Sequence, residues 1–263
     1  LLNIDSKRIA KGQDFDQETG ELKKDGLIAL SKSQAKALVE EIDSGPWVVS
    51  NIEEKPKTSN PKPPFTTSTL QQEASRKLKF NTRKTMSTAQ KLYEAGLITY
   101  MRTDSINLSD EAINASREII SNDFGSEYLP DSARHFKGKV KNAQEAHEAI
   151  RPAGRKFKTV DEIKKSIGPD ESNLYELIWK RTIACQMKSA QLKLTSITIK
   201  NQNTEFRTSG QVILFAGYMK VYVESRDDTK TPNVNKENVL PELKENDHLS
   251  CDRISIDEST TKP

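Results

Sequence analysis

Tyr100, Arg102 and Asp104 occupy alternate positions of the stretch Leu97-Ile98-Thr99-Tyr100-Met101-Arg102-Thr103-Asp104-Ser105. If the backbone is extended there, side chains alternate, so these three project to one side and Thr99, Met101 and Thr103 to the other. A phenol, a guanidinium and a carboxylate on one edge suit phosphoryl transfer. Tyrosine can serve as a covalent nucleophile. A guanidinium grips two phosphate oxygens as a planar fork and stabilises the charge that develops on them. A phenol ordinarily ionises near pH ~10, so it needs a base or a strong positive field to attack near neutrality. A phenolate is also a tolerable leaving group, so a phosphotyrosine bond can be reversed by a sugar hydroxyl without outside energy. The same spacing also fits a half-buried strand carrying a surface ion pair.

A second block, Gln144 to Pro152, brings together Gln144, His147 and Arg151. If it is helical, these fall on one face at i, i+3 and i+7. Pro152 pushes Arg151 toward extended geometry, so any helix is short. His147 lies between two glutamates, which favour its protonated form. A histidine satisfying a buried polar group accounts for the same residue.

These residues need supports. Before the tyrosine, Asn81 or Thr82 opens a helix with Met86, Ala89, Leu92 and Tyr93 on one side and Gly96 at its end. Further back, Ser68 with Gln71 forms a capping-box pattern ahead of Leu70, Ala74 and Leu78. Lys55 to Pro64 holds four prolines and reads as a connector between domains. Ahead of it, Ser31 or Ser33 caps a helix that Gly45-Pro46 stops, and Trp47-Val48-Val49 with Ile52 reads as a strand. After the tyrosine, Ser109 caps a helix helped by Asp110 and Glu111. Residues 122–141 read as irregular. Asp170 to Met187 forms a long helix in which Cys185 is a small core residue and Lys180 and Arg181 face either DNA or solvent. From Gln191 the apolar period becomes two, with a turn at Asn201-Gln202-Asn203. Strands then run through Phe206, Val212 and Val221-Tyr222-Val223, with Gly210 and Gly217 as turns or bulges, and Ile254 and Ile256 suggest a last one.

The fold class is therefore α+β. A mostly helical domain, residues 61–186, is inserted into a strand-rich domain made of residues 1–60 and 187–263. The chain has 263 residues, 34% of them hydrophobic and 30% charged, with a mean hydropathy of -0.73. It has no run near the ~20 apolar residues of a membrane span, and no signal-peptide pattern opens it. It begins Leu1-Leu2-Asn3-Ile4, which reads as the middle of a strand, so an excised piece is expected. Two cysteines, Cys185 and Cys251, are too few for a four-thiolate zinc site and suit a reducing compartment. The net charge is only +3, but seven cations against three anions lie between Thr66 and Ser105. That excess would attract a phosphate backbone, and solvated helix faces explain it equally well.

Ile98-Thr99-Tyr100-Met101-Arg102-Thr103-Asp104-Ser105 resembles the active-site tyrosine motif of type IA DNA topoisomerases. The likeness extends to Pro63-Pro64-Phe65-Thr66-Thr67-Ser68-Thr69-Leu70-Gln71-Gln72-Glu73-Ala74 and to Gln144-Glu145-Ala146-His147-Glu148-Ala149-Ile150-Arg151-Pro152. Met101 stands where topoisomerase III-like members usually have proline, which favours the bacterial topoisomerase I branch. The resemblance covers most of the chain and is most secure over residues 63–187. It implies that the two domains form an arch, or gate, that swings away from the rest of the enzyme. Tyr100 would cleave single-stranded DNA through a 5′-phosphotyrosine link, letting another strand pass before the free 3′-hydroxyl reseals the break without ATP. Arg102 would steady the scissile phosphate, with His147 and Asp104 as proton and hydrogen-bond partners. Arg151, Gln144, Ser68 and Arg181 would contribute further DNA or supporting contacts. Mg²⁺ would bind an acidic cluster in a domain outside this chain, and no Asp-x-Asp-x-Glu pattern occurs here. The implied partners are single-stranded DNA and the remaining domains of the parent enzyme, in the bacterial cytoplasm. The isolated piece is expected to fold without cleaving DNA. The alternatives are a non-catalytic module that binds single-stranded DNA, with Tyr100 stacking on a base, and a mechanical hinge.

Overall fold

The computed structural model describes residues 1–16, 18–42, 45–136, 148–223 and 240–257. The chain divides into two compact units: residues 1–56, 193–212 and 236–263 form one, and residues 57–192 and 213–235 the other. The class is α+β, with helices and a six-stranded sheet among the described residues.

The strand-rich unit opens with a tight hairpin, β1 (Asn3–Ile4) and β2 (Lys7–Arg8). Asp5 and Ser6 between them both take positive φ, 47° and 63°, the geometry whose twist matches paired strands. Helix α1 (Lys32–Ile42) is capped by Ser31, whose hydroxyl accepts from Gln34 N while Gln34 Oε1 accepts from Ser31 N. Strand β3 is Trp47–Ser59. Later in the chain come β4 (Ala190–Asn201), β5 (Thr204–Phe215) and β6 (His248–Leu249), giving the order β2-β1-β5-β4-β3-β6. The turn between β4 and β5 is where the sequence placed it. Asn201 is buried there and its amide donates to Ile42 O and Gly45 O, anchoring the end of α1.

Three expectations about strands change. Strand β3 runs through Pro56 to Ser59, whereas the sequence reading began a connector at Lys55. β6 pairs with β3 only at Trp47 and Val48. Among the described strands Pro56 therefore lies on an unpaired edge, where a missing N–H costs no ladder bond. β5 passes straight through Gly210, and the chain then turns at a 3-10 segment, Gly217–Lys220, so residues 221–223 form no strand. Val221 and Tyr222 pack on the helical core instead. Among the described residues the last strand is His248–Leu249, and residues 254–256 are not in one.

The helical unit is built from α2 (Thr67–Leu78), α3 (Thr82–Glu94), α4 (Asp110–Ile119), α5 (Val160–Ser166) and α6 (Pro169–Gln186). Helix α6 packs against the other four and is mostly buried, with Leu174, Tyr175, Leu177, Ile178 and Ile183 in the core and its Asn173, Glu176 and Lys180 edge reaching solvent. Cys185 lies in that core, its thiol donating to Thr182 O and pushed up to about 12 by burial. The α2 cap is Thr66, not Ser68: Thr66 Oγ1 accepts from Thr69 N and Thr69 Oγ1 from Thr66 N. Phe65 is paired with Ile150, which keeps the chain extended up to Thr66, so the helix starts two residues earlier than the Ser68 cap implied. Asn81 caps α3 and Ser109 caps α4. No described helix is long and apolar enough to cross a membrane.

Candidate active site

Helix α3 delivers the tyrosine segment. Gly96 takes φ +67°; its N–H donates to Tyr93 O and that of Leu97 donates to Leu92 O, closing the helix with the two reversed bonds of a Schellman end. The chain then runs extended. Residues 97–99 pair with 150–153: Ile98 faces Pro152, Thr99 N donates to Arg151 O, and Ala153 N donates to Leu97 O. The Thr99 hydroxyl donates to Ala149 O at 2.7 Å and accepts from Arg151 N at 3.0 Å. Residues 148–152 are thus extended, not helical as the one-face reading of Gln144, His147 and Arg151 required. The pairing with Phe65 and Ile98 supplies bonds that a short helix ending at a proline could not.

From Tyr100 the exposure alternates. Tyr100, Arg102 and Asp104 are exposed, while Met101, Thr103 and Ser105 are buried. Tyr100 is 46% exposed and its ring meets that of Tyr93 edge-on, 5.3 Å between centroids. Among the described residues neither Arg102 nor Asp104 makes an ion pair, so the surface pair that the spacing alone suggested does not form. Both line a shallow cleft of about 350 Å³ with Thr66, Thr67, Ser68 and Thr103. Ser68 is exposed and its hydroxyl accepts from Gln72.

Neither Arg151 nor Arg181 lines that cleft. Arg151 is only 7% exposed; it pairs with Glu148 at 2.7 Å and donates to Pro152 O at 2.8 Å and to Ser109 Oγ at 3.4 Å. The other Glu148 oxygen accepts from Ser109 N at 2.7 Å, so one carboxylate joins this segment to the start of α4. Burial alone would raise the Glu148 carboxyl. Hydrogen bonds from Ser109 and Arg151 and the charge of Arg151 outweigh it and hold the group below its ordinary value. Arg181 is 5% exposed, lies over the rings of Phe65 and Tyr222, and donates to Pro63 O at 2.6 Å. Here Arg181 faces neither of the surroundings expected of it, because it lies on the face of α6 turned to Phe65 and Pro63, whereas the Lys180 side chain is 42% exposed and pairs with Glu176. Gln144 and His147 fall outside the described residues.

Sequence reasoning missed Thr67, Thr99 and Glu148, whose bonds hold the segment. The trace of the two threonines in the sequence is a run of hydroxyl side chains at positions that turn inward, and that of Glu148 is its place beside His147. The cationic excess is also smaller in space than in sequence. Arg76 and Lys77 lie against buried Glu73, Lys84 pairs with Asp170 and Lys91 with Glu171, each of the last two at 2.8 Å. Among the described residues no group of three or more His, Cys, Asp or Glu side chains converges as a metal site.

The profile of the family described as DNA topoisomerase matches residues 4–263. DNA topoisomerase 1 of Synechocystis is 47% identical over all of this chain, and that of Streptomyces coelicolor is 45% identical. The chain spans 29% and 28% of those two proteins, respectively. A solved full-length topoisomerase I from Thermotoga maritima is similar over 88% of this chain and 36% of its own, with 35% identity and a TM-score of 0.63.

Proposed function

The chain belongs to the DNA topoisomerase family, and from that premise we propose that it carries the nucleophile of a type I enzyme, Tyr100. The observation that supports this is an exposed phenol on a segment held at both ends, with Arg102 turned to the same solvent side. In this reading Tyr100 Oη attacks a phosphate of single-stranded DNA. The bond from phosphorus to the sugar 3′-oxygen breaks, the phenol proton leaves, and the 3′-oxygen takes one up. The DNA is then held by a 5′-phosphotyrosine ester while another strand passes. The 3′-hydroxyl returns, the ester opens, and the net result is relaxation of negative supercoils without ATP.

Arg102 steadies the non-bridging oxygens during both steps. Asp104 and Ser68, on the same cleft, serve the adjoining backbone, and His147 serves as proton partner. Arg151 acts indirectly, by holding residues 148–152 against the tyrosine segment. Mg²⁺ is assigned to other domains of the parent enzyme, which are the protein partners, and the site of action is the bacterial cytoplasm. A binding-only module is the second reading, favoured by the pair of exposed rings, Tyr93 and Tyr100, as a surface for base stacking.

One experiment decides between them. The full-length parent enzyme is incubated with a labelled single-stranded oligonucleotide, quenched with denaturant and digested. The expected result is a DNA adduct on the Tyr100 peptide, abolished by Tyr100→Phe with oligonucleotide binding within about twofold, since the ring and its stacking are kept. An adduct that persists in Tyr100→Phe, or none in the wild type, overturns the proposal.

A further inference from the structure

The geometry points to Thr67 as the residue that positions the reactive segment, an inference that rests on the reading of Tyr100 as nucleophile. Extended backbone needs partners for its N–H and C=O groups. Residues 97–99 find them in 149–153. Beyond Tyr100 no described strand runs alongside residues 101–103, and Thr67 takes a strand's part. Its N–H donates to Thr103 O at 2.9 Å. Its hydroxyl donates to Met101 O at 2.8 Å, with Thr103 O a second acceptor at 3.1 Å, and accepts from Thr103 N at 2.9 Å. One residue thereby meets three backbone groups on the two sides of Arg102. That arrangement keeps Met101 and Thr103 turned inward and Arg102 turned out.

The change of partner falls at Tyr100 itself, which is suspended between two separate supports. Thr67 is well placed to be firm because it opens α2. That helix is fixed from within by Glu73, 2% exposed, which accepts from the Tyr222 hydroxyl at 2.8 Å. A residue that sets backbone register beside a nucleophile matters through geometry: a displacement of about 1 Å can cost on the order of a hundredfold in rate.

The test uses the full-length parent enzyme. Thr67→Val keeps the branched shape and removes the hydroxyl, Thr67→Ala removes it without filling its place, and Thr67→Ser keeps it. Single-turnover adduct formation on a single-stranded oligonucleotide, its dissociation constant and the melting midpoint are measured for each. Wild type and Tyr100→Phe are run alongside. Thr67→Val and Thr67→Ala are expected to slow adduct formation about tenfold or more, with binding within about twofold and Thr67→Ser near wild type. In a double-mutant cycle with Arg102→Ala the two losses should fail to multiply, since both act through one guanidinium. Lower midpoints with unchanged adduct rates below them would overturn the inference, as would losses that multiply. If the wild type forms its Tyr100 adduct and the Thr67 variants match it, only the positioning role falls. If the wild type forms none, or Tyr100→Phe still forms one, the reading of Tyr100 falls and takes this inference with it.

Discussion

Arg151 shows how a side chain selected for chemistry can turn out to hold the scaffold. It is almost wholly buried, and its guanidinium joins Glu148, Pro152 O and Ser109 within one corner. Removing one partner of a buried pair leaves the other uncompensated, which generally costs more than the pair contributed. Arg151→Met should therefore destabilise the chain by about 2–4 kcal/mol, the partial exposure of Glu148 keeping it below the fully buried case. Urea unfolding of the variant measures this, and a loss under about 1 kcal/mol would contradict the arrangement. The residue was legible as important because it sits in the block with His147. Its role was not, because the choice between phosphate and carboxylate is made by which groups the fold brings within 3 Å, and spacing along the chain does not carry that.

At the level of elements, two glycines separate conformational cost from steric cost. Gly96 ends α3 at φ +67° with open space where a Cβ would go. Gly96→Ala should cost about 1–2 kcal/mol, the ordinary penalty of a left-handed L-residue. Gly217 begins the 3-10 turn at φ +50°, and a Cβ there would lie 2.5 Å from Lys188 O and 2.7 Å from Ser189 backbone. Gly217→Ala adds a clash with main chain that cannot swing aside, so it should cost at least ~1 kcal/mol more than Gly96→Ala. Chemical unfolding of the two variants side by side reads the difference, and equal losses would refute it. Gly96 was legible as a helix stop from the pattern before it. Gly217 was expected as a turn or bulge, and its surroundings came only with the return of the chain beside Lys188.

On the scale of the whole molecule, carboxylates held below their ordinary range are spread over both units. A hydrogen bond from Arg8 chiefly holds Asp14 at about 2, and its backbone bond to Lys11 adds to this. Glu148, Glu171 and Glu176 are also lowered. Hydrogen bonding from Lys91 leads for Glu171; for Glu176 burial opposes the shift, and hydrogen bonds from Lys180 and Lys164 outweigh it. A depressed folded pKa means the unfolded state binds the proton first as pH falls. The stability these groups contribute is thus complete above the unfolded carboxylate range, near ~4, and is lost as pH falls through the lower folded values. Urea midpoints should stay level from about pH 7 to 5 and fall steadily below ~4, with Glu148→Gln showing a shallower fall over that window. A midpoint that held level down to pH ~3 would refute the assignment.

What the chain determined unaided was local: helices announced by Asn81 and Ser109, the stop at Gly96, the two-residue turn after Asn201, and the alternation that turns Tyr100, Arg102 and Asp104 outward. Each depends on a side chain acting on backbone a few residues away, or on a period that the chain carries wherever it goes. Tertiary structure decided the rest. It made Thr67 stand in for a strand, drew Glu148–Arg151 into an extended partner of the tyrosine segment, and placed Arg181 over two aromatic rings. It also set lysines of α3 against acids of α6. Those outcomes turn on contacts between residues tens of positions apart, and the energies that select them belong to burial and to satisfying backbone groups, which no short stretch contains.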